Sequence, residues 1–462
     1  MTARKKSAAP KVARKTKKRG AQRATADEAK GAGRAAKQAK PAKKATPPAK
    51  RVPASKNAGK APAKLGGAKR TIGSSARVDR EADTSPVRVL FIDDEADRLE
   101  RTVGAGLPAT VRATFRAPNH VTGTELGASD VAMVDYNLVH WHEAQTGVGL
   151  VASTTAGVLS GLPRNGLVVI SSLRALAEDH PATATACALF TGEAMQLPGF
   201  SMAANHRHLL ARSLGVEWIF QKNETEFLPQ VVSLGRAARA LPATPPTTVR
   251  AASEELLRLL AMPAQAWAVD AEEQILASAP PLVTAASATQ GLGLLRWLLH
   301  QILPYPTFLM DARHLAARLR VTPASLAAAL NADSALVQAL APARFTGALA
   351  EFAGPRWWRA GVNDIVWRLT AGNPHRSELE TQLTHLSAQL QFSSARQPVA
   401  ALNADLEVTD EQVDVTEAVE VRPEGWPAFA DPAWLPTRIL TEAPDLASAV
   451  VARDRGRSSS VS

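Results

Sequence analysis

Short apolar runs separated by longer segments of helical character dominate the middle of the chain. Val87-Arg88-Val89-Leu90-Phe91-Ile92 is rich in β-branched residues and stops abruptly at Asp93-Asp94-Glu95. Similar runs recur at Val131-Ala132-Met133-Val134, Cys187-Ala188-Leu189-Phe190 and Val216-Glu217-Trp218-Ile219-Phe220. Runs of this length predict strands buried on both faces. Strands alternating with helices predict an α/β, doubly wound parallel sheet. Ligands of such sheets sit at the carboxyl ends of the strands. Asp93, Asp94, Asp135, Thr191 and Lys222 fall at those ends in this chain.

The pattern changes after a Pro/Thr-rich stretch at residues 241–248, which closes the α/β region at residues 85–242. Over residues 249–372 apolar positions recur at helical spacing, as in Leu292, Leu295, Leu298 and Leu299, and predict a mainly α-helical domain. Its first helix is expected to begin at Glu254, with Ser253 as N-cap. Residues 312–330 resemble a helix-turn-helix, with Arg320 in place of the usual turn glycine, Thr322 as N-cap and Pro323 at the first helical position. The second helix of that pair offers Ala324, Ala327, Ala328 and Ala329, which make no hydrogen bonds to base edges, and this favours protein packing over sequence-specific DNA reading. Arg356-Trp357-Trp358-Arg359 reads as core tryptophans flanked by arginines. Leu379, Leu383, Leu386 and Leu390 mark an amphipathic helix over 375–392, a stripe shorter than a sustained coiled coil. Residues 403–420 are acidic and free of aromatics and read as a linker, followed by a small C-terminal region at 421–452.

Charge refines this picture. Of the formal net charge of +11, residues 1–80 hold 25 Lys or Arg against three acids, hence +22, and leave −11 for residues 81–462. Residues 1–84 contain no aromatic residue and consist largely of Ala, Lys, Arg, Pro, Gly, Ser and Thr, so they predict a disordered basic tail. The composition fits weak nucleic-acid binding or a plain solvated tether equally, and any nucleic-acid affinity is expected there rather than on the acidic remainder. The single cysteine, Cys187, has no partner for an internal disulfide, which fits a reducing compartment. No apolar stretch is long enough to cross a bilayer, and a cytoplasmic protein is expected.

The polar residues at the strand ends bring out a specific resemblance. Val89-Leu90-Phe91-Ile92-Asp93-Asp94-Glu95, Val134-Asp135-Tyr136-Asn137-Leu138, Leu189-Phe190-Thr191-Gly192 and Ile219-Phe220-Gln221-Lys222 resemble, in order, the motifs of the receiver domains of bacterial response regulators. The resemblance implies a five-stranded, flavodoxin-like fold. It implies that Asp135 accepts a phosphoryl group from a histidine kinase or phosphotransfer protein, and that Asp93, Asp94 and Asp135 hold Mg²⁺. Thr191 and Lys222 would contact the phosphoryl group. The chemistry requires these residue types, because a carboxylate attacking a phosphoryl group needs a cation to neutralise the converging negative charge. A single acid at a strand end is commonly no more than a turn or cap residue. All five polar residues in the right order make the stronger case.

Three departures from that family stand out. Asn223 replaces the proline that usually follows the lysine, and Ile219 occupies the usual aromatic switch position between Trp218 and Phe220. The third departure is an insertion at about 137–165, which separates Asp135 from Asn165-Gly166 and the helix expected at Leu167 to His180. Loops of that length in compact domains are usually functional. His140-Trp141-His142-Glu143 and His206-Arg207-His208 contain paired histidines, but neither has the ligand set of a complete zinc site, and surface histidines are the expectation. The reading that follows is a signalling protein, not a conventional enzyme, whose phosphoacceptor domain controls protein interactions through the insertion or the helical domain. A DNA-binding response regulator and a non-phosphorylated pseudo-receiver scaffold, of the kind found beside bacterial defence proteins, are the alternatives.

Overall fold

In the computed structural model the described residues are 85–138, 165–179, 184–192, 197, 206–224, 227–332, 334–373 and 375–458. The basic tail at 1–84 and most of the insertion, including His140, His142 and Glu143, lie outside them. Strands β1 (Val87–Ile92), β2 (Val111–Arg116), β3 (Val131–Val134), β4 (Ala186–Thr191) and β5 (Trp218–Gln221) form one all-parallel sheet in the order β2-β1-β3-β4-β5. This is a flavodoxin-like α/β sheet. Four strands coincide with the apolar runs to within two residues at each end. β2, with the sequence VRATFR, lies at the sheet edge and buries only Val111 fully, so its apolar pattern is weak.

Alternation within the strands sends successive side chains to opposite faces. Val87, Val89, Phe91, Met133, Ala188, Phe190 and Phe220 face one core, whereas Leu90, Ile92, Val134, Cys187, Leu189 and Ile219 face the other. Helices α2 (Gly123–Gly127), α3 (Gly166–Asp179) and α4 (Arg207–Leu214) cover the second face, and α1 (Ala96–Val103) and α5 (Phe227–Arg239) cover the first.

The first core does not stop at residue 242. It runs without a break into Leu256, Trp267, Ile275, Leu295, Leu299 and Phe308 of the helical region. Trp218 and Phe352 meet edge to face with ring centroids 5.0 Å apart. The Pro/Thr stretch is therefore a turn between packed layers rather than a spacer between independent cores. Helix α6 (Val249–Leu259) starts five residues earlier than expected, because Thr248 accepts a hydrogen bond from the Ala251 amide. Ser253 is not the cap: it lies inside the helix, and its hydroxyl donates to the Val249 carbonyl.

Further along, α7 (Ala268–Ser278), α8 (Leu282–Ser287) and α9 (Leu292–Trp297) continue the helical layer. Next, α10 (Ala312–Leu319) and α11 (Pro323–Ala332) form the helix-turn-helix-like pair. Arg320 does take the left-handed turn conformation, at φ 60°. Thr322 does accept from the Ser325 amide. The exposed face of α11 carries Ala324, Ala327 and Ala328. Strands β6 (Leu309–Met310) and β7 (Trp357–Trp358) pair ahead of α12 (Arg359–Leu369) and α13 (Arg376–Leu386). Trp357 and Trp358 are each 1% exposed and are core residues, whereas Trp367 is 57% exposed. Leu379, Leu383 and Leu390 are buried in the chain's own core with Leu315 and Leu326, so that stripe has an internal partner.

The segment 403–420 is not a linker. It contributes to a four-stranded sheet of order β10-β11-β8-β9, built from β8 (Pro398–Leu402), β9 (Val408–Asp414), β10 (Ala418–Val421) and β11 (Ala433–Pro436). The acids of β9 lie at a sheet edge where charge is tolerated, and charged edges discourage pairing with other chains. β10, by contrast, is wholly buried.

Candidate functional site

The carboxyl edge of the parallel sheet assembles the strand-end residues. Backbone hydrogen bonds set their places: the Asp93 amide donates to Arg116 O at 3.1 Å, the Asp135 amide to Ile92 O at 2.8 Å and the Lys222 amide to Thr191 O at 2.9 Å. Strand pairing thereby carries four segments distant in sequence to one spot. The Lys222 ammonium lies 2.8 Å from Asp93 Oδ2 and 3.2 Å from Asp135 Oδ2. It also lies 5.7 Å from the centre of the Phe190 ring. The other oxygen of Asp93 accepts from the Glu95 amide at 2.8 Å. Asp93, Asp135 and Thr191 are buried, and Asp94 is half-buried at the rim.

One carboxylate oxygen from each of Asp93, Asp94 and Asp135 lies within 4.8 Å of the others. Such an oxygen cluster can hold a metal ion, and among the described residues no other group of three or more acidic, histidine or cysteine ligands converges in this way. Two of the three carboxyl groups, those of Asp93 and Asp135, share the Lys222 ammonium. Burial pushes the Asp135 carboxyl up to about 6, with Lys222 opposing and Asp93 adding to the rise. Burial also works against the charge on Lys222, but the two carboxylates outweigh it and hold its ammonium above the ordinary lysine range. A divalent cation at the three acids would add positive charge where burial opposes the charge on Asp135.

The entry to α3 is fitted closely to this site. A Cβ on Gly166 would fall 2.2 Å from the Asp135 carbonyl oxygen, so only glycine allows the approach. The Gly166 amide donates to Tyr136 O at 2.9 Å, and Asn165 accepts from the Val168 amide at 3.3 Å. Asn137 and Asn165 pair as an isolated antiparallel bridge. The two ends of the insertion therefore meet beside Asp135.

The second histidine cluster has a different role from the surface one expected. His208 is buried and bonds through Nε2 to the Tyr305 hydroxyl at 2.8 Å, while Arg207 pairs with Glu224. Burial, with His206 and His300 nearby, pushes the His208 imidazole down to about 3. The pattern reading also missed Glu217, which is fully buried at the start of β5. Its carboxylate accepts from the Cys187 amide at 2.7 Å, from Arg174 of α3 at 3.3 Å and from Arg296 of α9 at 2.6 Å. His300 Nε2 lies 3.0 Å from the Glu217 carbonyl oxygen. The one available signal was an acid inside the apolar run Val216-Glu217-Trp218, because a buried charge requires partners.

Comparison with family models, with curated proteins and with solved structures finds no match to the chain. Among the described residues no single helix is long and apolar enough to cross a membrane.

Proposed function

We propose that this protein is a receiver-type signalling protein in which Asp135 accepts a phosphoryl group from the phosphohistidine of a histidine kinase or phosphotransfer protein. One observation carries the reading: the Lys222 ammonium bridges Asp93 and Asp135 at the carboxyl edge of a β2-β1-β3-β4-β5 sheet, with Asp94 beside them. In the transfer, an Asp135 carboxylate oxygen bonds to phosphorus as the bond from phosphorus to the histidine nitrogen breaks. The imidazole leaves with the electron pair of that bond. Mg²⁺ held by Asp93, Asp94 and Asp135 would neutralise the incoming phosphoryl oxygens. Lys222 would pair with one of those oxygens and the Thr191 hydroxyl would donate to another.

The helical region is the natural recipient of the signal, because it shares a core with β5 and α5. Phosphorylation would then alter how that region and the insertion meet a protein partner. The DNA-binding alternative draws less support, since α11 exposes alanines.

The test is Mg²⁺-dependent binding of beryllofluoride, a phosphoryl mimic, to the full chain, with Asp135→Asn as control. The full chain is needed because a fragment ending at residue 242 would expose the shared core. Saturable binding that is lost in the variant is the expected result. A folded wild type that binds neither Mg²⁺ nor beryllofluoride would leave a scaffold that is not phosphorylated.

A further inference from the structure

A cleft of about 490 Å³ lies between α10, the start of α12 and strand β8, well away in sequence from the Asp135 site. Its lining includes His314, Arg318, Arg320, Arg359, Asp431 and Trp434. The side chains of Arg318 and Arg320 make no hydrogen bond or ion pair among the described residues, and Arg318 is exposed. Arg359 shares its charge with Asp431 at 2.9 Å and donates to the Pro306 carbonyl at 3.0 Å. His314 is oriented by Asp311, whose carboxylate accepts from the His314 amide at 2.9 Å and lies 2.7 Å from Nδ1. With Arg359 matched by Asp431 and His314 by Asp311, Arg318 and Arg320 are the positive excess of the lining, although residues 81–462 as a whole carry −11.

Local positive excess in an acidic body requires placement, and this excess is placed in a concavity of the size that takes small molecules. Guanidiniums match phosphate oxygens in pairs. The same lining also holds Pro398, Val399, Pro432 and Trp434, which offer apolar and planar surface.

We propose that this cleft binds a phosphorylated small molecule bearing a planar ring, of the nucleoside phosphate class. Arg318 and Arg320 take the phosphates, and Trp434 with its neighbouring prolines takes the ring. A nucleic-acid strand fits less well, because the net negative charge of the surrounding body repels an extended polyanion.

The experiment is calorimetric titration of the full chain with ADP, with inorganic pyrophosphate and with a short DNA duplex. It is repeated on the double variant Arg318→Glu/Arg320→Gly and on Trp434→Leu. Glycine suits the φ of 60° at position 320, so the double variant keeps its turn. Saturable ADP binding is expected, weakened at least tenfold in the double variant. In Trp434→Leu, ADP should weaken several-fold while pyrophosphate is unchanged. The idea is overturned if no phosphate compound binds saturably, if the double variant binds ADP as the wild type does, if pyrophosphate binds as tightly as ADP, or if the double variant, which leaves the basic tail intact, weakens duplex binding more than ADP binding. The beryllofluoride response at Asp135, measured on the same double variant, should be unchanged, which separates failure here from failure of the phosphoacceptor reading.

Discussion

Two clusters of buried charge stand on the same parallel sheet and are built from the same kinds of group, yet their balance differs. At the carboxyl edge, Asp93 and Asp135 share the ammonium of Lys222, with Asp94 beside them. At the start of β5, the single carboxylate of Glu217 faces the guanidiniums of Arg174 and Arg296 and the Cys187 amide. Glu217 has every oxygen engaged and joins α3, β4 and α9. The Asp135 cluster brings three carboxyl groups within 4.8 Å of one another, and burial raises the Asp135 carboxyl. A cluster in which guanidiniums surround one acid serves as a joint, whereas one in which acids converge is a place for a cation and an anionic ligand to arrive.

The largest effect expected from breaking the comparison is at Glu217. Glu217→Leu leaves two half-buried guanidiniums and the buried Cys187 amide without their acid, and denaturant unfolding should show a loss of roughly 3–5 kcal/mol. A loss under about 1 kcal/mol would mean that water reaches Arg174 and Arg296.

Acid should weaken the histidine side of that joint. Burial pushes His300 down to about 4 and His208 to about 3, so both are neutral in the folded protein. A depressed imidazole adds stability that is complete above the unfolded value of about 6.5 and is lost as pH falls toward the folded values. Thermal unfolding between pH 6.5 and 5 should show a decline on the order of 2–4 kcal/mol, smaller in His208→Phe.

The Asp135 cluster should show the opposite sign. Its carboxyl is raised from 3.8 to about 6, so its contribution to stability is present below 3.8 and is lost as pH rises through about 6. Without Mg²⁺, Asp135→Asn should therefore be more stable than the wild type at pH 7, by about 1 kcal/mol, with no gain at pH 3.5. Added Mg²⁺ should reverse the order at pH 7, and the absence of any reversal in thermal shift would count against a cation at the three acids.

The smallest effect belongs to an exposed pair of the same residue types. Arg98 and Glu95 lie 3.0 Å apart with side chains 69% and 42% exposed. Arg98→Ala should change the unfolding free energy by about 0.5 kcal/mol or less. A larger loss would show that ion-pair count rather than burial governs this fold.

Much of the sheet and its edge was legible because the code there is local. A buried parallel strand must be apolar on both faces, and the abrupt change from Ile92 to Asp93 or from Val134 to Asp135 marks where it meets water and ligand. β2 escaped notice because an edge strand is only half covered, and VRATFR alternates too weakly. The strands at 403–420 were hidden for a similar reason, since acids on an edge look like the acids of a linker. Ser253 misled because a serine before two glutamates looks like a cap, while Thr248 had already started the helix.

Residue types along the chain determined the strands, the order of Asp93, Asp94, Asp135, Thr191 and Lys222, and the left-handed turn at Arg320, because each depends on neighbours within a few positions. Pairings across tens of residues depended on the packed molecule. Only the tertiary structure joined Glu217 to Arg174 and Arg296, merged the α/β and helical cores through Trp218 and Phe352, and gathered Arg318, Arg320, Arg359 and Trp434 around one cleft. Charge and shape complementarity between distant segments leave no periodic trace in any one of them.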